Sequence, residues 1–240
     1  MPVVKGICEY DGTNYSGWQK QINSNSIQEE IEQALSTILS EKVSIVGSGR
    51  TDAGVHAFNQ VFHFKTNREL DLNALKKSCN GLLPSDIAIK SFTIEKEDFH
   101  SRYSARNRTY LYVVAKRKNV FFDRYSWTIY GNLNVEALLE IQKFFIGKKD
   151  FVSFCKAHDE VENKICNVNY SHWFNKRDFL LYFIRADRFI HGMVRGIVGL
   201  SVEFARGKVS LDEIKEVIDG KRRCPLWAPS KGLILYKVEY

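Results

Sequence analysis

No apolar run in the 240 residues approaches the roughly 18 needed to cross a bilayer, and Arg195 interrupts the best candidate. Met1 to Gly6 holds nothing like the apolar core of a secretory signal. The five cysteines include no CxxC pair, and their odd number argues for reduced thiols in a cytosol rather than a disulfide frame. GxxxxGKS, a strand followed by GxGxxG, GxSxG and HExxH are all missing, which removes most support for nucleotide-driven chemistry and serine hydrolysis. There is no low-complexity segment. With 44% hydrophobic and 26% charged residues, disorder, collagen and coiled coil are excluded as well. What the chain does have is positive charge. Thirty-five Lys and Arg against 28 Asp and Glu give a net +7, a bias toward polyanions that does not by itself establish one. The length allows one large domain or two small ones.

The pattern of apolar residues spells one motif twice. Val3 to Tyr10 reads as a strand that ends in Asp11-Gly12-Thr13-Asn14. Ser26 and Glu29 form a capping box, followed by Ile27, Ile31, Ala34, Leu35, Ile38 and Leu39 at helical spacing. Val43 to Ser48 is expected as a strand, then the loop Gly49-Arg50-Thr51-Asp52-Ala53-Gly54, then a strand around Phe58 to Phe64. Asp71 caps a second helix through Leu83, and Ile87 to Ile94 completes a β-α-β-β-α-β order, the ferredoxin-like motif. The second half repeats it with longer connections. A strand is expected at Thr109 to Ala115, a helix capped by Asn134 that stops near Gly147, and a hairpin of Val168 to Phe174 and Phe179 to Ile184. A helix from about Phe189 to Ala205 follows, then one with a Ser210 and Glu213 capping box, then a strand at Leu233 to Val238. The expected architecture is α+β: two tandem ferredoxin-like halves, 1–104 and 105–240, forming one largely antiparallel sheet with helices on one face. The seam falls near residues 100–108.

Asp52 is the most suggestive single residue. Glycines on either side let backbone approach a ligand closely, and Arg50, two positions away, projects to the same side in an extended segment. An adjacent guanidinium keeps a carboxylate ionised, as a base or nucleophile requires. A turn aspartate holding its own loop fits the same spacing. From Arg102 to Lys118 cations alternate with rings: Arg102, Tyr103, Arg106, Arg108, Tyr110, Tyr112, Lys116, Arg117 and Lys118. Such interleaving suits single-stranded RNA, and equally a half-buried tyrosine strand with a solvated basic edge. Arg195 lies in an otherwise apolar helix, where it needs a carboxylate, a carbonyl or a phosphate. His191, nearby, reads as a packed core histidine or a site residue. Lys221-Arg222-Arg223 follow a helix end, where cations satisfy the dipole. Cys155, His158, Cys166 and His172 have metal-ligand chemistry but irregular spacing, so no metal is expected.

Together these residues resemble the TruA family of tRNA pseudouridine synthases. The resemblance rests on Tyr10-Asp11-Gly12-Thr13 with Tyr15, Gly17, Trp18 and Gln19, and on Gly49-Arg50-Thr51-Asp52-Ala53-Gly54-Val55-His56. It continues in order through Phe99-His100-x-Arg102-x-Ser104-Ala105, Arg108-x-Tyr110-x-Tyr112 and Asp150-Phe151-x-x-Phe154. His191-x-Met193-Val194-Arg195 and Ala228-Pro229-x-x-Gly232-Leu233-x-Leu235 complete it, so that it covers essentially the whole chain. The resemblance implies two ferredoxin-like halves around a basic cleft, and isomerisation of uridine to pseudouridine at tRNA positions 38, 39 and 40. It implies no cofactor or metal, a tRNA partner and a homodimer, while the cysteines point to a cytoplasmic location. Asp52 matches the essential aspartate, Arg50 the arginine beside it that helps extrude the target nucleotide, and Arg195 the active-site arginine that pairs with the aspartate. Tyr110 matches the tyrosine against the flipped uracil and Leu235 the apolar pocket residue, while Arg102 and Arg108 are expected to bind substrate. Gly192 departs from the polar residue usual before Met-Val-Arg, and is expected to loosen that helix.

Two other classes compete. A non-catalytic RNA-binding protein on a ferredoxin-like fold lacks an RNP1 string here, and a paralogue could act on another RNA uridine. A phosphate-ester hydrolase using Asp52 lacks the metal ligands and phosphate loop it needs.

Overall fold

The structure, a computed structural model, describes residues 2–155 and 162–240. From Val4 on, the first segment alternates buried and half-buried residues and forms β1 (Val3–Tyr10), as a period of two requires. Helix α1 (Ile27–Leu39) buries Ile27, Ile31, Ala34, Leu35 and Leu39, the stripe set by their spacing. The Ser26 side chain caps it by accepting from the Glu29 amide, but the return half of the expected box is not used. Glu29 instead pairs with Lys20 at 3.2 Å.

Strand β2 is only Val46–Gly47, shorter than the alternation Val43-Ser44-Ile45-Val46 suggests. The cause lies in α1. The Ile45 amide donates to Glu32 Oε1 at 3.0 Å and the Val43 amide to Ser36 Oγ at 2.9 Å. These backbone groups are satisfied by side chains and have no need of a ladder. Then come β3 (His56–Lys65), α2 (Leu72–Leu82, capped by Asp71) and β4 (Ile87–Glu95). This is the β-α-β-β-α-β order read from the sequence.

The rest of the chain supplies β5 (Asn107–Ala115), β6 (Trp127–Thr128), α3 (Val135–Ile141, capped by Asn134) and β7 (Gly147–Asp150). Gly147, expected as a helix stop, begins that short strand against β8 (Ile165–Asn175). Strand β9 (Phe179–Ala186) closes the hairpin, and α4 (Met193–Ala205) and α5 (Leu211–Ile218) follow. Helix α4 starts later than Phe189 because Gly192 stands at its N-cap with φ of 80°. That conformation suits glycine, so Gly192 starts the helix and does not loosen it. The Ser210 and Glu213 box on α5 is complete. The last strand is β10 (Leu233–Glu239).

Two units divide the described chain: Met1–Arg106 with Ile234–Tyr240, and Asn107–Leu233. In the first, β1 pairs antiparallel with both β3 and β4, β2 lies antiparallel to β3, and β10 runs parallel to β3. Its core gathers Tyr10, Trp18, Ile27, Leu35, Phe62 and Phe64, each contributing about 1.5–3 kcal/mol if counted as full burial of a large side chain. In the second, β9 pairs antiparallel with β5 and β8, and β8 with β7. Trp173 stacks on Tyr182 at 4.7 Å within that core. The fold is mixed α+β with mostly antiparallel strand pairing. Among the described residues, no helix is long and apolar enough to cross a membrane.

Candidate active site

The loop that carries Asp52 is fixed from both stems. Ser48 donates its amide to Val61 O at 2.7 Å and its hydroxyl to Gln60 Oε1 at 2.7 Å. Gln60, fully buried, returns a bond from Nε2 to Gly49 O at 3.0 Å. Between the stems, Tyr10 and Thr51 share a buried hydroxyl bond of 2.8 Å, and the Trp18 amide donates to Thr51 O at 3.1 Å. The Val55 amide closes the turn on Asp52 O at 3.1 Å.

Two glycines let the loops touch. A Cβ on Gly12 would lie 2.1 Å from Val55 O, and one on Gly17, already at φ of 106°, would lie 2.6 Å from Thr51 O. The Tyr10–Gln19 and Gly49–His56 stretches, far apart in sequence, thus pack as one piece. Thr51 and Val55 point inward, while Asp52 is half-buried and Arg50 exposed. His56, buried at the end of the loop, places Nδ1 at 3.1 Å from the Gly12 amide and 3.0 Å from Asp11 Oδ1. Leu235 stands opposite Ala57 in the β10–β3 pairing, just past this loop, and is buried. Arg102 is exposed on the turn after β4.

The second unit assembles the remaining residues. Arg108, Tyr110 and Tyr112 alternate along β5 and so share a face. Arg108 Nη1 donates to Asp187 O at 2.8 Å. The half-buried Tyr110 ring meets the Phe189 ring edge-on at 5.1 Å, a support the sequence did not single out. Tyr112 is fully buried and donates to Pro229 O at 2.8 Å. Burial pushes its hydroxyl pKa up, opposed in part by the positive charge of Arg195.

Arg195 is half-buried near the start of α4, and its Nε donates to Ala228 O at 2.7 Å while the Ala228 amide returns 3.0 Å to Arg195 O. The carbonyl partner that a cation in an apolar helix requires is therefore present. Trp227 Nε1 reaches Phe154 O at 3.3 Å, which ties in the Asp150-Phe151-x-x-Phe154 stretch. His191 is exposed in the turn before α4 and is not a core histidine.

Several cations expected in a basic strip are engaged locally. Arg117 holds Asp178 through two bonds of 2.9 Å, and Lys116 Nζ reaches Asn175 Oδ1 at 2.5 Å and Lys176 O at 2.7 Å. Both brace the β8–β9 turn. Arg222 pairs with Glu213 and Lys221 with Asp219, so that cluster serves α5. Of the possible metal ligands, His158 lies outside the described residues. Cys155 and Cys166 are buried, and burial pushes the Cys166 thiol up to about 12. Among the described residues no cluster of His, Cys, Asp or Glu is placed to hold a metal ion.

The family model and the sequence relatives agree with each other. The sequence model of the tRNA pseudouridine synthase family matches residues 7–104 and 141–240. The tRNA pseudouridine synthase A of Bacteroides thetaiotaomicron is 41% identical over 96% of this chain and 88% of its own. That of Dictyoglomus turgidum is 41% identical over 96% of each chain, and tRNA pseudouridine synthase A 2 of Clostridium perfringens is 37% identical over 100% of each. Among solved structures, a Cbf5-Nop10-Gar1 complex aligns with 81% of this chain and 53% of its own at 12% identity and a TM-score of 0.37, too distant to carry an argument. On its sequence, the chain belongs to the tRNA pseudouridine synthase family.

Proposed function

We propose that this protein isomerises uridine to pseudouridine at positions 38, 39 and 40 of the tRNA anticodon stem-loop, with Asp52 as the catalytic carboxylate. The reaction breaks the bond from C1′ of the ribose to N1 of uracil and joins C1′ to C5. A proton leaves C5 and N1 gains one. Product and substrate have the same atoms and the same oxidation level, so the balance calls for no redox cofactor or group donor. What it does require is a carboxylate held in place while the base turns. The observation that supports this reading is the loop around Asp52, with Thr51 and Val55 locked inward and the carboxylate between them half-exposed.

The remaining roles follow the family resemblance. Arg50 assists extrusion of the target nucleotide, which must leave its stack before chemistry. Tyr110 meets the extruded uracil, Arg195 acts at the chemical step, Leu235 lines the pocket, and Arg102 and Arg108 bind RNA. The reading includes two ferredoxin-like halves, 1–104 and 105–240, a homodimer, and a cytoplasmic location, with which five free, buried cysteines are consistent.

Incubation with an unmodified tRNA transcript, followed by mapping at single-nucleotide resolution, tests the proposal. Pseudouridine at positions 38 to 40 is the expected result. Pseudouridine elsewhere assigns a different target, and its absence from bound RNA leaves a binding protein. Arg195→Ala separates chemistry from affinity. We expect kcat to fall by about 10²-fold or more, in the range for loss of a transition-state contact, with RNA affinity changed far less. Equal losses in both would make Arg195 a phosphate contact only.

A further inference from the structure

Tyr103 is 78% exposed, yet everything behind it is fixed. The turn 100–104 is closed by the Ser104 amide on His100 O at 2.9 Å and the His100 amide on Ser104 Oγ at 3.0 Å. His100 Nδ1 accepts from the amides of both Arg102, at 3.1 Å, and Tyr103, at 3.3 Å. The His100 ring lies 4.3 Å from the Tyr103 ring at 31°, close to parallel. His63, itself buried in β3, meets the His100 ring edge-on at 4.8 Å and 60°.

This ring cluster is fastened to the stem of the Asp52 loop. Ser101, fully buried, donates its hydroxyl to Val46 O at 2.6 Å on β2, the strand that runs into the Asp52 loop. His63 Nδ1 accepts from the Ser101 amide at 3.2 Å. Burial first, then the nearby His100 and Lys65, lower the His63 pKa to about 4, so this inner ring is neutral near pH 7. Arg102 carries its guanidinium 5.8 Å from the Tyr103 ring centre.

Single exposed aromatics are ordinary on protein surfaces and need no explanation. A ring packed against a histidine that is itself held edge-on by a buried ring, on a turn with its hydrogen bonds closed, is different. Its conformational freedom is already restricted, so a planar ligand placed against it loses little entropy. We propose that Tyr103 is a stacking site for an unpaired base of the RNA substrate, separate from the uridine that reacts. Every base offers a π-face, and Arg102 supplies a cation for the adjoining phosphate. Glu97 and Asp98 precede the turn and oppose phosphate binding, so the ring carries more of the affinity than the charge does.

The inference rests on the proposed RNA activity and is tested so that the two can fail separately. Binding of the anticodon stem-loop RNA at fixed salt, steady-state pseudouridine formation and thermal midpoints are measured for wild type, Tyr103→Ala and Tyr103→Phe. The expected loss for Tyr103→Ala is on the order of tenfold in affinity, as for removal of one base–aromatic stack, appearing in KM rather than kcat. Tyr103→Phe restores it, and the thermal midpoints stay together. Tyr103→Ala binding within about twofold of wild type would overturn the stacking site while leaving the enzyme reading intact. An affinity loss that Phe does not rescue and that accompanies a lowered midpoint would overturn it too, as a structural effect. Wild type that neither binds nor modifies the RNA would remove both readings.

Discussion

Asp52→Asn is expected to abolish pseudouridine formation, by at least about 10³-fold in kcat, while tRNA still binds. The substitution keeps the size of the side chain and removes its negative charge and its basicity. The neighbours that fold the loop are Thr51 and Val55, whose backbone and hydroxyl contacts do not use the carboxylate. The loop should therefore survive, and single-turnover assays with excess enzyme would isolate the chemical step from product release. Retention of a tenth or more of wild-type turnover would show that Asp52 is a structural turn residue and that another group does the chemistry.

Gly12→Ala is expected to damage both stability and rate from a position that contributes no side chain of its own. Its new methyl group would meet the Val55 carbonyl oxygen at 2.1 Å and the carbonyl carbon at 2.8 Å. Both are backbone atoms, so no side chain can rotate out of the way. Either the Asp11–Asn14 turn or the Asp52 loop must move by about 1 Å to restore carbon–oxygen contact distance. Overpacking of this kind costs about 1–3 kcal/mol, and a displacement of about 1 Å at a reacting group costs on the order of 10² in rate. Thermal unfolding and kcat on the same preparations check the pair of effects. Gly81→Ala is the comparison: its added Cβ would meet nothing within 4 Å, so neither quantity should fall. Lost stability with an unchanged kcat would mean that the packing of Gly12 on Val55 does not set the position of Asp52.

The regular elements were legible because their signals are local. Ser26, Asp71, Asn134 and Ser210 all cap helices, and each apolar stripe faces inward. What the sequence could not show depends on partners remote in the chain. Val43 to Ile45 alternates like a strand, yet α1 side chains take its amides. Lys116 and Arg117 look like an RNA-facing pair, yet they brace a turn 59 to 61 residues further along the chain. The loop of Asp52 was visible from its glycines, but not the Gln60 amide that clamps its stems or the Tyr10 hydroxyl on Thr51. Phe189 behind Tyr110 was hidden for the same reason, since a ring contact between a strand residue and the connection before α4 leaves no trace in spacing.

The parallel pairing of Ile234 and Leu235 with His56 and Ala57 bears on how the molecule is made. Nascent domains commonly fold in order as they emerge, the amino-terminal one first. Here the first unit cannot complete its sheet at that stage, because β10 is translated only after Asn107–Leu233 has been. His56 and Ala57, at the foot of the Asp52 loop, wait until Ile234 and Leu235 have been made. A ribosome that stalls before β10 leaves the signature loop present in sequence but lacking the strand beside it, so a product cut off there is expected to be inert even though every catalytic candidate up to Arg195 has already been synthesised.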